Sequence, residues 1–244
     1  MNTFRNLALG ATVCCAAMLA ASPASAAGYL FDEVNDNYTL NFDGFVDNPA
    51  NVIPGLTSTL LLTLTGGVGT NTLTFSYTLT NTSSTGGPGS RVSGFGFNSN
   101  PNVDPLTGAG TPTGEFGNIN LGGNYPNGIG DVEVCLTDNN GASCAGGGSG
   151  GALLGDPATG SFSLIFGSNT PAVTLDAFYV RYQSLTGLDD IGSASGKESL
   201  VINPNAGGVP EPATWAMLLI GFGAVGATLR RSKSNSSDRR LRIA

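Results

Sequence analysis

Few side chains in this sequence could do chemistry, and the first to consider are a pair. Cys135 and Cys144 enclose Leu-Thr-Asp-Asn-Asn-Gly-Ala-Ser, so their midpoint falls between Asn139 and Asn140. Asn and Gly tolerate positive φ, which lets Asp138–Gly141 reverse the chain and bring the two thiols together across a hairpin. A redox-active pair usually has a Cys-x-x-Cys spacing at a helix N-terminus; neither is present, so the expected chemistry is a structural disulfide. Histidine is absent from all 244 residues. Without imidazole, Ser-His-Asp and Cys-His catalysis and most zinc sites cannot be assembled.

Carboxylates are the remaining candidates. Asp32, Glu33, Asp36, Asp43 and Asp47 gather early, interleaved with Asn35, Asn37 and Asn48. Of these, Asp32, Asp36, Asp43 and Asp47 could offer oxygen ligands to extracellular Ca²⁺, although their spacing is not that of an EF-hand loop and a solvated acidic face has the same composition. Two such carboxylates could also run glycoside hydrolysis, but nothing in the sequence selects a pair. No other cofactor is implied. Gly147-Gly-Ser149-Gly-Gly151 spells a nucleophile elbow, yet it sits in the glycine-serine tract Ala145–Ala152, where a flexible loop accounts for the composition. Gly221-x-Gly223-x-x-Gly226 spells a dinucleotide fingerprint but lies inside an apolar run, where small residues serve helix packing in a membrane.

These groups need elements to hold them, and the periodicity is that of strands. Leu73-Thr-Phe-Ser-Tyr-Thr-Leu79 alternates apolar and polar residues without a break, which sets one strand face on a core and the other in water. Tyr38–Phe42, Ser58–Leu64, Val92–Phe97, Val132–Leu136, Ser161–Phe166, Val173–Tyr182 and Ser199–Ile202 follow the same pattern between Gly, Pro, Asn and Asp clusters. About eight short antiparallel strands predict an all-β ectodomain, a single β-sandwich of jelly-roll or Ig-like order spanning 27–202. Pro101–Asn127 has few strand formers and is expected as a long surface loop.

The two ends of the chain carry targeting signals. Met1–Ala26 has Arg5, an apolar run over 7–21 and small residues before the cut expected after Ala26, the pattern read by signal peptidase. Cys14 and Cys15 lie within that run and leave with it, so lipidation is not expected. Between 27 and 208 only Arg91, Arg181 and Lys197 oppose fifteen acids, a net charge of −12 that excludes nucleic acid as a partner. After a linker over 203–209 comes an uncharged stretch, Ala213–Leu229, 17 residues long. As a helix it reaches about 25 Å, a minimal membrane span. Trp215 suits the outer interface, and Arg230 and Arg231 stop transfer on the cytoplasmic side, leaving a basic cytoplasmic tail over 232–244.

The order Pro210-Glu211-Pro212, Trp215-Ala216, glycine-bearing span, Arg230-Arg231 resembles the PEP-CTERM sorting signal in its Pro-Glu-Pro-x-x-Trp-Ala variant. The resemblance covers 210–231 and implies a Gram-negative bacterium, recognition by an exosortase that cuts near the Pro-Glu-Pro segment, and a setting of exopolysaccharide and biofilm production. The segment 232–244 extends past the point where such signals normally end. The cysteine pair followed by Ala-Gly-Gly-Gly-Ser-Gly-Gly resembles the cistern family of PEP-CTERM proteins, a label that brings no catalytic residue. The expectation is therefore a non-enzymatic surface or matrix component that passes through an inner-membrane-anchored intermediate. The alternatives are a carbohydrate-binding module, whose groove would need aromatics such as Tyr38, Tyr125, Tyr179 or Tyr182, and a secreted hydrolase on an ordinary single-pass anchor.

Overall fold

A computed structural model describes residues 28–138, 143–147 and 149–199. The expected signal peptide and C-terminal helix lie outside these residues, and among the described residues there is no helix. The alternating segments become β2 (Asn37–Phe45), β3 (Val52–Gly66), β4 (Thr70–Asn81), β5 (Arg91–Asn100), β8 (Gly130–Thr137), β10 (Ala158–Thr170) and β11 (Val173–Gln183). To these are added β1 (Tyr29–Phe31), β6 (Thr113–Gly114), β7 (Asn118–Tyr125), β9 (Ala152–Leu153) and β12 (Ser193–Ser199). One correction follows: the Pro101–Asn127 segment contains strands β6 and β7. Of the expected strand Ser199–Ile202, Ser199 ends β12 and residues 200–202 lie outside the described residues.

The class is all-β and antiparallel, as the alternation predicted, but the strands form one hydrogen-bonded sheet where two packed sheets were expected. Its order is β6-β10-β4-β3-β2-β12-β11-β5-β8-β7, with β1 added to β11 and β9 to β5. β2, β3 and β4 run as a meander. The β3–β4 turn requires Gly67, at φ +92°, because a Cβ there would meet the Thr72 carbonyl oxygen at 1.8 Å. Pro171 separates β10 from β11, which share no ladder; without an N–H, proline helps the chain leave one half of the sheet for the other.

The sheet curls into a half-barrel that closes on its apolar face. Phe162 of β10 lies 6.1 Å from Phe95 and 5.9 Å from Phe97 of β5, ring centre to ring centre, and Tyr77 of β4 lies 5.4 Å from Phe95. These strands face each other across the core rather than pairing, so the two halves are held by apolar burial. β12 alone joins them by ladder: Ser195–Ser199 pair with Asn41–Phe45 of β2, while Ser193–Lys197 pair with Tyr179–Gln183 of β11. A smaller cluster of Tyr125, Val132, Cys135 and Cys144, with Ile129 and Tyr179 against it, packs apart from the main core.

Candidate functional site

Cys135 and Cys144 are bonded, with Cα atoms 5.6 Å apart, as their spacing predicted. The expected hairpin is not formed. β8 is already paired on both sides, with Cys135 opposite Gly96 of β5 and Asn120 of β7, so no edge is left for a returning arm. Cys144 instead sits in a turn over β7, where a Cβ at Gly123 would approach its Sγ to 2.5 Å. The glycine-serine tract is likewise not a free linker. Asp138 is fully buried and accepts the N–H of Gly147 and of Gly150, each at 2.8 Å. The Ala145 carbonyl accepts from Arg181 Nε at 3.2 Å and Gln183 Nε2 at 2.9 Å. A Cβ at Gly146 would come within 2.5 Å of Ser93 Oγ, so the glycines serve close approach of backbone to sheet. A nucleophile elbow needs a strand-to-helix turn, and Ser149 is not on one.

Arg181 completes this polar layer. Its guanidinium is buried, and desolvation lowers its pKa. It donates to Ser193 Oγ at 2.7 Å and to the Asn127 amide oxygen at 3.0 Å, with Asn127 turned so that this oxygen faces it. A buried cation held by neutral oxygens is a cross-link between β11, β12, the β7–β8 turn and the segment that follows Cys144.

The early carboxylates are not brought together. Asp36 caps the β1–β2 turn, accepting from the Asp32 and Glu33 amides at 2.9 and 2.8 Å. Asp43 stands on β2 opposite Lys197, and Asp47 follows β2 at φ +61°. Among the described residues no group of three or more Asp, Glu, His or Cys could hold a metal ion, so Asp32, Asp36, Asp43 and Asp47 form no Ca²⁺ cage. Burial pushes one carboxyl, Glu198 of β12, up to about 7. The Tyr29 hydroxyl donates to it, linking the first strand to the last. No neighbouring carboxylate contributes to that shift, and the paired acids that glycoside hydrolysis needs are not built there.

The tyrosines proposed for a sugar groove are spent on packing. Tyr125 and Tyr182 are fully buried, and desolvation raises both hydroxyls far above their ordinary range. Tyr182 pairs with Ser58 Oγ at 2.8 Å. Tyr38 donates to the Leu30 carbonyl at 2.8 Å, and half-buried Tyr179 lies 6.0 Å from the Tyr125 ring. They give no exposed aromatic platform.

No sequence motif points to a hollow of 340 Å³ lined by Asn102, Val103, Pro105, Leu121, Gly122 and Glu133. It lies where edge strand β7 meets the segment leaving β5. Glu133 is occupied there, accepting from the Ser99 amide at 2.7 Å, Ser99 Oγ at 2.8 Å and the Val103 amide at 2.7 Å. It holds that segment against the sheet, and its carboxylate is not free for catalysis.

Pro210, Glu211, Pro212, Trp215, Ala216, Arg230 and Arg231 lie outside the described residues. A family model, the PEP-CTERM protein-sorting motif, matches residues 208–232, which takes in all seven. The chain is a PEP-CTERM sorting-motif protein. The motif marks it as exported, directed to the cell surface and processed by an exosortase. No curated protein and no solved structure matches the chain.

Proposed function

We propose that this PEP-CTERM protein is a non-enzymatic component of the cell surface or extracellular matrix, presented by a Gram-negative bacterium in association with exopolysaccharide. The observation that carries the reading is the sorting motif at 208–232 behind an ectodomain whose reactive groups are structural. Cys135 and Cys144 are joined, while Asp138, Glu133 and Arg181 each hold backbone or neighbouring side chains. Signal peptidase removes 1–26, and Ala213–Leu229 then holds an intermediate in the inner membrane while Pro210-Glu211-Pro212 presents extended backbone to the protease.

The test follows mature protein size and membrane association in cells with and without exosortase, alongside replacement of Pro210-Glu211-Pro212 by Ala-Gln-Ala. Either lesion is expected to leave a longer, membrane-retained form. Unchanged size and location in both would return the tail to a plain single-pass anchor, since span and arginine stop are untouched by the substitution. A sugar array and a polysaccharide-hydrolysis assay on the exported protein test the other half; turnover of any sugar polymer would overturn the non-enzymatic assignment.

A further inference from the structure

Arg181 is a buried cation in an acidic domain, and no acid meets it. Residues 27–208 carry fifteen carboxylates. The guanidinium is nevertheless held by the Ala145 carbonyl, Ser193 Oγ and the Asn127 amide oxygen, and among the described residues no carboxylate offsets its charge. A buried charge held by neutral groups keeps much of its desolvation penalty, and a paired carboxylate relieves more of it than an amide does. One oxygen already stands where such a carboxylate would stand: Asn127 Oδ1 accepts from Arg181 Nη1 at 3.0 Å and from the Ser195 N–H at 2.8 Å.

The residue after Asn127 is Gly128, in the turn between β7 and β8. Both have positive φ, +62° and +75°, which Asn and Gly tolerate best, so turn geometry alone accounts for the pair. Their surroundings add a chemistry. The Gly128 N–H donates no hydrogen bond to the described residues, and glycine has no Cβ to hinder its nitrogen. Gly128 is exposed, so water reaches the turn. The Asn127 side chain is half-buried, and its carbonyl is polarised by a guanidinium and a backbone N–H, donors of the kind that stabilise charge developing on a carbonyl oxygen.

We propose that Asn127 is a self-modifying site at which the chain makes the missing counterion of Arg181. The Gly128 nitrogen attacks Asn127 Cγ. The bond from Cγ to the side-chain NH₂ breaks, that group takes the proton of the Gly128 nitrogen and leaves as ammonia, and a five-membered imide remains. Water then adds to the same Cγ, the bond from Cγ to the Gly128 nitrogen breaks, and the nitrogen regains a proton from the water. An amide and water have become a carboxylic acid and ammonia, and the acid ionises against Arg181. Water can open such an imide at either of two carbonyls, giving aspartate with the main chain intact or isoaspartate with the chain rerouted through the side chain. Arg181 and the Ser195 N–H polarise the carbonyl that carries Oδ1, which directs water to Cγ and yields aspartate. Isoaspartate would also lengthen the main chain by one carbon where Gly128 is already packed close, since a Cβ there would meet the Asp47 carbonyl oxygen at 2.8 Å.

The test uses the exported protein, fresh and after incubation at neutral pH, with a synthetic peptide of residues 125–130, Tyr-Pro-Asn-Gly-Ile-Gly, incubated beside it. Digestion in mild acid and mass spectrometry report exchange of the Asn127 amide for an acid, and chromatography against synthetic standards separates aspartate from isoaspartate. The protein is expected to convert in the time that the peptide converts. It should give aspartate in about ten-fold excess or more over isoaspartate, within the factor that a donor on a developing oxyanion supplies, while the peptide gives mainly isoaspartate. Asn127→Asp, present from synthesis, should raise the urea midpoint above that of parent protein that still carries the amide, at unchanged slope. The proposal is overturned by Asn127 still intact when the peptide has converted, by the isoaspartate-rich mixture of the peptide, or by an Asn127→Asp midpoint at or below the parent's.

Discussion

Replacing Asp138 by Asn leaves the size of the side chain unchanged and inverts half of its hydrogen bonding. Both carboxylate oxygens are used, Oδ1 by the Gly147 amide and Oδ2 by the Gly150 amide, each at 2.8 Å, and the residue is wholly buried. In the Asn variant one oxygen still accepts, but the NH₂ group opposes the other glycine amide, so two donors face each other away from water. Leaving a buried donor unpaired costs about 1–3 kcal/mol, and a bond to a charged acceptor contributes about 1.5–3 kcal/mol, which puts the loss near 2–5 kcal/mol. That is as much as the disulfide contributes, about 2.5–3 kcal/mol for a loop of this length. Urea unfolding of the purified ectodomain at pH 7 measures it as a lower midpoint at unchanged slope. Because Asp138 and the disulfide hold the same loop, the two losses should not add: reduction is expected to cost the Asn variant less than the parent. An unfolding free energy within about 0.5 kcal/mol of the parent's, the range of ordinary surface changes, would refute the assignment of Asp138 as the anchor of the glycine tract.

Glu198 supplies a pH dependence. Its folded-state value of about 7 lies above the ordinary 4.5, so the folded protein binds the proton more tightly. This contribution to stability is fully present below about pH 4.5, falls as pH rises to about 7 and is flat beyond. The group is partly exposed, so the loss is on the order of 1–2 kcal/mol; a Glu198→Gln variant that kept the parent's slope in denaturation between pH 5 and 8 would contradict it. Mass spectrometry of the exported protein without reductant should find no free thiol at Cys135 or Cys144, and two free thiols would refute the bridge. Phe162→Ala removes the ring that touches both Phe95 and Phe97. It should cost about 3–5 kcal/mol in the same unfolding assay, and a cost under about 1 kcal/mol would show that the two halves of the sheet do not depend on that contact.

Strands with one large-residue face were legible in the sequence. In β4, Leu73, Phe75, Tyr77 and Leu79 all turn inward, and the period of two is therefore unbroken. β7 and β12 were not legible because their packing runs on small residues. β7 has only Ile119 and Leu121 in alternation before Gly122 and Gly123. In β12 the buried run is Ala194-Ser195-Gly196, and a Cβ on Gly196 would meet Val180 Cγ2 at 2.5 Å, so the space belongs to the neighbours' side chains. Losing β12 from the sequence reading also hid the single sheet, since it is the strand that joins the halves. The cysteine bridge could be read from spacing and compartment, but the geometry around it could not. Whether β8 had a free edge depended on strand order, and the Asp138 and Arg181 contacts link residues with no shared local pattern.

The position of β12 sets an order of events during export. A chain that crosses a membrane from its N-terminus delivers β2 early and β11 late, and the strand that must lie between them arrives last of all. Until Ser199 has crossed, β2 and β11 each keep an open edge, and the sheet can be collapsed but not closed. Only ten residues separate Ser199 from Pro210, at most about 35–40 Å of extended chain. Closure therefore falls in the interval when the sorting motif is itself reaching the membrane, and a protease acting close to Pro210-Glu211-Pro212 meets a domain that has just finished folding. The last strand works as a clasp whose fastening coincides with readiness for release.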